Sequence, residues 1–171
     1  MITTSHPSNI AAMNKELYRY LNDHLAGSAG AIGIIEKLAD TADDPEEAAF
    51  FRELGEKVET DRTILKDLIG KLGESSSSLL EAAGVATGAA SRIKLAWEGL
   101  EPGHLGRFEA LELLALGIQG KRLLWLALAE IAPLIPAWTA NFAELELDAI
   151  AQRDSVEERR VEAARDALSP S

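Results

Sequence analysis

Apolar residues recur every three or four positions along four long stretches of the chain. This is the spacing of one face of an α-helix, and it predicts helices over about 9–39, 45–72, 104–132 and 140–168. β-branched residues are scattered singly, and no run alternates apolar and polar residues as a half-buried strand would. The pattern therefore predicts an all-α protein.

Local signals mark the ends of these helices. Asp44 and Pro45 supply a capping side chain and a proline at the first helical position, and two acids follow in the first turn. Thr139 and Asn141 are alternative caps for the last helix, and Gly73 is the predicted C-terminal cap of the second. We therefore expect sharp boundaries at these positions.

The lengths of the connections predict the topology. The first and last connections have about five and seven residues, whereas the middle connection, 73–103, has 31. A short connection forces antiparallel neighbours, but 31 residues can run the length of a helix bundle. The prediction is a single domain, 1–171, with a flexible leader over 1–8 and two antiparallel helix hairpins joined by a crossover.

The most apolar stretch, 123–140, is predicted to be buried core and not a membrane span. It contains Glu130, Pro133 and Pro136, which are unfavourable in a helix that crosses a bilayer. The first ten residues carry neither the basic nor the apolar region of a secretion signal. A cytoplasmic location is therefore expected.

Charge and composition exclude several classes of function. The 17 Lys and Arg residues face 28 Asp and Glu residues, and the formal charge of −11 would repel a phosphate backbone. Nucleic acid is thus not an expected partner. The chain has no cysteine, which excludes disulfides, iron–sulfur clusters, thiolate zinc sites and cysteine nucleophiles.

Polar residues interrupt the apolar stripe near the middle of each helix, so in a bundle they would lie at one height. Burying them is costly unless they are paired. Arg62, with Lys121 or Arg122, is predicted to pair with Glu59 and Glu112; alternatively, the arginines extend along the flank to solvent. The other interrupting residues are His24, Ser28, Gln119, Gln152 and Ser155.

Two of these helices resemble the bacterioferritins and rubrerythrins of the ferritin-like superfamily. Residues 21–28, LNDHLAGS, resemble the motif Leu-Asn-x-x-Leu-x-x-Glu, with Ser28 at the metal-ligand position. Residues 54–73 resemble a helix in which Glu-x-x-His precedes a leucine-rich run ending in Leu-Gly; Glu59 fits, but Arg62 replaces the histidine. The resemblance implies a ferritin-like four-helix bundle of two helix hairpins.

The same resemblance implies a site for two metal ions, from which this sequence departs. Glu112 or Gln119 stands at the third-helix position, and Gln152-x-x-Ser155 replaces Glu-x-x-His on the fourth helix. Hydroxyl, amide and guanidinium groups do not offset the charge of a di-metal centre. We therefore predict a degenerate di-iron site with no metal, no cofactor and no catalytic residue.

Three glycines, Gly27, Gly30 and Gly33, lie inside the first helix, where each costs about 1 kcal/mol relative to alanine. Three interpretations are open: a closely packed neighbouring helix, a pocket, or a dimer contact. A homodimer is predicted from these small residues together with the apolar face of 123–128.

Three functional hypotheses follow. The first is a non-enzymatic binding or interaction protein that has lost its di-metal site. The second is a di-iron or di-manganese oxidase or peroxidase with a rearranged ligand set of Glu56, Glu59, Glu109, Glu112 and His24. The third is a binder of small apolar ligands or lipids, with a cavity beneath the glycines.

Overall fold

The computed structural model describes residues 7–72 and 103–170, with side chains over 15–72 and 103–170. These ranges contain four α-helices and no strand, as the sequence predicts, and the helix ends agree within two residues. The helices are α1 (Pro7–Thr41), α2 (Pro45–Gly70), α3 (His104–Ile131) and α4 (Phe142–Leu168), and a short 3-10 turn (Ala132–Leu134) follows α3. Most of the predicted leader, and the predicted crossover up to residue 102, lie outside the described residues.

Side-chain caps begin two of the helices. Asp44 accepts a hydrogen bond from the Glu46 amide at 3.0 Å, and Pro45 opens α2. Asn141, not Thr139, caps α4 by accepting from the Glu144 amide at 3.3 Å. Gly103 precedes α3 with a φ of 104°, a conformation that glycine adopts without strain. The predicted cap Gly73 lies outside the described residues.

Two apolar clusters, one at each end of the molecule, show how the helices run. The first cluster joins the later part of α1 and α4 to the early part of α2 and α3, and the second cluster joins the opposite parts. Fully buried members include Ile35, Phe51, Leu114 and Val156 in the first cluster and Leu21, Leu68, Trp125 and Leu128 in the second. Thus α1 and α4 run one way and α2 and α3 the other.

These directions give two antiparallel hairpins, α1–α2 and α3–α4, with α1 also packed on α3. The end of α2 and the start of α3 lie at opposite ends of the bundle. Arg107 in the first turn of α3 pairs with Glu47 in the first turn of α2, so these two helices start together.

The prediction that 123–140 is buried core is partly wrong. Leu124, Trp125 and Leu128 are buried, but Leu123 and Leu126 are 52% and 40% exposed. An amphipathic helix turns only one stripe inward, so the intervening leucines of an apolar run face outward. No described helix is long and apolar enough to cross a membrane.

Candidate ligand cavity at mid-bundle

A buried lysine side chain bridges three helices at mid-bundle through hydrogen bonds. Lys121 of α3 donates to Asp61 Oδ2 of α2 and to Gln152 Oε1 of α4, each at 2.5 Å. The side chains of Lys121 and Asp61 are only 13% and 10% exposed. Burial lowers the pKa of Lys121, and the neighbouring Asp61 carboxylate acts in the opposite direction.

Asp61 is the member of this cluster that sequence reasoning missed. It lies three residues after Val58 and four before Leu65, and so on the apolar stripe of α2. That spacing alone marks it as a buried charge in need of a partner.

Arg62 joins α2 to α1 at the position that the ferritin-like resemblance gives to a metal ligand. Its Nη1 donates to the Leu25 carbonyl at 2.9 Å and to Ser28 Oγ at 2.7 Å. Ser28 Oγ itself donates to the Leu25 carbonyl at 2.7 Å. Glu59 Oε2 lies 3.2 Å from Arg62 Nε and forms the ion pair expected from the sequence, but Arg62 Nε makes no hydrogen bond.

Other residues of the predicted polar layer have separate partners and do not join Arg62 and Lys121. Arg122 and Glu112 lie on the flank shared by α3 and α4, where Glu112 is half exposed. The contacts are Gln119 with Arg153 at 2.9 Å, Glu112 with Arg160 at 3.3 Å, Arg122 with Glu146 at 2.8 Å, and Ser155 with the Ala151 carbonyl at 3.0 Å.

His24 is half-buried on α1. Its ring meets the edge of Tyr20, with ring centroids 4.7 Å apart. Burial lowers the pKa of His24, and the Asp23 carboxylate opposes that shift. A pKa below the ordinary value of 6.5 favours the neutral imidazole at pH 7.

A cavity of about 370 Å³ lies between α1, α2 and α3 at the height of these polar residues. Three glycines, Gly27, Gly117 and Gly120, form part of its wall, and apolar side chains form much of the rest. The apolar residues are Ala31, Val58, Leu65, Ile118, Leu124 and Trp125; the polar ones are Asp23, His24, Ser28, Asp61, Arg62 and Lys121. Six polar side chains therefore join six apolar ones around the cavity, and the surface that they expose to it is mainly apolar.

The glycines differ in the space around them. Of the three α1 glycines, Gly27 lines the cavity, whereas Gly30 and Gly33 do not. A Cβ added at Gly33, Gly117 or Gly120 would meet nothing within 4 Å. Close packing occurs instead at Gly55 of α2, where a Cβ would lie 3.3 Å from Ile35 Cγ2.

Two buried nitrogen donors that belong to the cavity-lining residues Arg62 and Trp125 have no acceptor within the described structure. They are Arg62 Nε and Trp125 Nε1. Trp138, buried beyond the cavity, differs because its Nε1 donates to the Leu68 carbonyl at 3.0 Å. An unsatisfied buried donor costs about 1–3 kcal/mol, so an acceptor that reaches these nitrogens would stabilise the protein.

The donor set does not fit a di-metal centre. Across 15–72 and 103–170, no three His, Asp or Glu side chains converge as metal ligands would. Glu56, Glu59, Glu109 and Glu112, the carboxylates of the rearranged set, are all exposed. The positions given by the ferritin-like resemblance instead hold hydroxyl, guanidinium and amide groups.

Comparison with known proteins gives no relative: no family model, curated protein or solved structure matches the chain.

Proposed function

We propose that this protein is a non-catalytic, ferritin-like bundle whose mid-bundle cavity binds a small apolar molecule. The observation that carries the proposal is the cavity of about 370 Å³ beside Gly27, Gly117 and Gly120. Its volume falls in the range of about 300–1,000 Å³ that is typical of ligand pockets. An apolar wall with few polar groups is also the usual composition of such sites.

The ferritin-like part of the proposal rests on the motifs of α1 and α2 and on the helix directions. Two antiparallel hairpins, with α1 running in the direction of α4 and α2 in that of α3, agree with the topology expected of a ferritin-like bundle. In this proposal the charges of Arg62 and Lys121 stand where metal ions lie in that superfamily. Each cation is held by groups of this chain: Arg62 by Ser28, and Lys121 by Asp61 and Gln152.

Tetralin, a neutral bicyclic hydrocarbon, is a suitable probe of the cavity. A ligand at about ten times its Kd stabilises a protein by about 1.4 kcal/mol, which raises Tm by about 3–6 °C at this size. Thermal unfolding with and without tetralin measures this shift. We expect the shift in the wild type and not in Gly120→Leu, whose side chain fills the cavity.

Gly33→Leu is the matched control, because Gly33 also has free space around it but does not line the cavity. This variant should keep the tetralin shift. A wild type that tetralin does not stabilise would contradict the proposed function. Equal shifts in Gly120→Leu and Gly33→Leu would show that the probe binds elsewhere.

The enzyme hypothesis has a separate test. Elemental analysis after incubation with iron, manganese or zinc should find no more metal in the wild type than in Glu59→Ala. Two tightly held metal ions per chain, lost in Glu59→Ala, would overturn the non-catalytic proposal.

The homodimer stays a prediction. Within 123–128, Leu123 and Leu126 are exposed and available to a second copy, whereas Leu124, Trp125 and Leu128 are buried within the bundle. Sedimentation velocity at tens of micromolar protein decides this point. Monomer alone at that concentration would contradict self-association.

A further inference from the structure

We propose that the ligand of the mid-bundle cavity is neutral and carries a hydrogen-bond acceptor, as a compact ketone does, and that Trp125 Nε1–H donates to it. This inference rests on the proposed function and narrows the class of ligand. It follows from three observations on the cavity: the hydrogen-bond donors that lack an acceptor, the balance of charges on the wall, and the volume.

The unmet hydrogen-bonding groups are both donors. Trp125 is 1% exposed, and its Nε1 finds no acceptor in the described structure. Arg62 Nε also makes no hydrogen bond, although the Glu59 carboxylate lies 3.2 Å from it as an ion-pair partner. A hydrocarbon ligand would leave Trp125 Nε1 unsatisfied, whereas a carbonyl oxygen can accept from it. Ser28 Oγ and the Lys121 ammonium, by contrast, already have partners within the chain.

The charges on the cavity wall disfavour an anionic ligand. Two cations, Arg62 and Lys121, line the cavity together with two carboxylates, Asp23 and Asp61, so their formal charges cancel. Burial of His24 lowers its pKa, which favours its neutral form over a third cation. A carboxylate ligand would therefore bring a charge into an apolar space without a cation to offset it.

The cavity volume indicates the size of the ligand part that it can enclose. About 370 Å³ corresponds to about a dozen water molecules at about 30 Å³ each, which is enough for a small bicyclic molecule. The expected class is thus a compact, mainly apolar carbonyl compound and not a long-chain fatty acid.

Tetralone and tetralin provide a matched pair for the test, because they differ only in a carbonyl group that replaces one methylene. Naphthoate supplies an anion with a similar bicyclic frame. Isothermal titration of the full chain should give a Kd for tetralone about 3–10 times lower than that for tetralin, the effect of one hydrogen bond to a buried donor. Naphthoate should bind most weakly.

The Trp125→Phe variant tests whether the indole is the donor. In this variant the ratio of the tetralin Kd to the tetralone Kd should fall to about one. Trp138→Phe is the control: it removes an indole that already donates to the Leu68 carbonyl, and it should keep the wild-type ratio. If Trp125→Phe does not fold, the titrations on wild-type protein still decide whether the acceptor matters.

The outcomes separate the two proposals. Equal binding of tetralone and tetralin by the wild type would overturn the acceptor inference and leave the apolar cavity site in place. Tightest binding of naphthoate would overturn the neutral-ligand inference. Binding of none of the three probes would overturn both the inference and the proposed function.

Discussion

Two polar clusters meet at the middle of the bundle, and they differ in how fully their groups are satisfied. In the closed cluster, Lys121 donates to Asp61 and Gln152, and three helices are joined. In the open cluster, Arg62 is held by Ser28, but Arg62 Nε and Trp125 Nε1 have no acceptor in the described structure. From this comparison we expect the larger loss of stability on breaking the closed cluster, and the open cluster is where we propose that the ligand binds.

The largest expected effect comes from breaking the closed cluster. Asp61→Leu leaves the buried ammonium of Lys121 without its carboxylate, and loss of one partner of a buried ion pair costs about 3–5 kcal/mol. Urea unfolding measures this change in the free energy of unfolding. The double variant Asp61→Leu/Lys121→Met removes both charges and should recover most of the loss; no recovery would contradict the pairing.

The open cluster should be less sensitive. Arg62→Met removes the hydrogen bonds to the Leu25 carbonyl and Ser28. The carboxylate that loses its ion-pair partner, Glu59, is 53% exposed and therefore remains solvated. We expect a loss of about 1–3 kcal/mol, and less than about 1 kcal/mol for the control Ser28→Ala. A loss for Arg62→Met that equals that of Asp61→Leu would remove the distinction between the clusters.

Glycine substitutions sharpen the comparison between open and packed positions. Gly120→Ala adds a Cβ where no atom lies within 4 Å, and the better helix propensity of alanine should stabilise the protein by about 0.5–1 kcal/mol. Gly55→Ala is the control, because its Cβ would lie 3.3 Å from Ile35 Cγ2. Urea midpoints of the two variants should therefore differ, and an equal gain in both would contradict the described packing.

The smallest expected effect is a pH dependence from His24. The folded protein holds the pKa of His24 below its ordinary value of 6.5, so the unfolded chain binds more protons as the pH falls below that value. The free energy of unfolding should therefore decrease from about pH 6.5 downward, towards the lowered pKa. His24→Gln should flatten that decrease; an unchanged pH profile would show that His24 does not contribute.

The helices were predictable because local signals determine them. The apolar stripes, the Asp44-Pro45 start and the Asn141 cap all depend on residues within a few positions of one another. The sequence did not show which leucines of 123–128 face outward, because a nearly continuous apolar run does not reveal which stripe faces inward; Leu123 and Leu126 are the exposed ones.

The candidate site was only partly predictable. Sequence reasoning singled out Arg62, Lys121, Ser28 and Gln152, all of which lie in or beside the two clusters, but it overlooked Asp61. The cavity depends on where α1, α2 and α3 bring Gly27, Gly117 and Gly120 together. Contacts between residues far apart in sequence depend on tertiary packing. They cannot be predicted from the helical periodicity of one segment.

The most direct test of the account follows the indole N–H signals of Trp125 and Trp138 by proton–nitrogen NMR, assigned with Trp125→Phe and Trp138→Phe. Tetralone should move the Trp125 signal downfield, as a new hydrogen bond does, and leave that of Trp138, which is already bonded to Leu68, in place. Tetralin should cause no such downfield shift. A Trp125 signal that saturating tetralone leaves unmoved would contradict the proposal that this cavity binds a neutral acceptor.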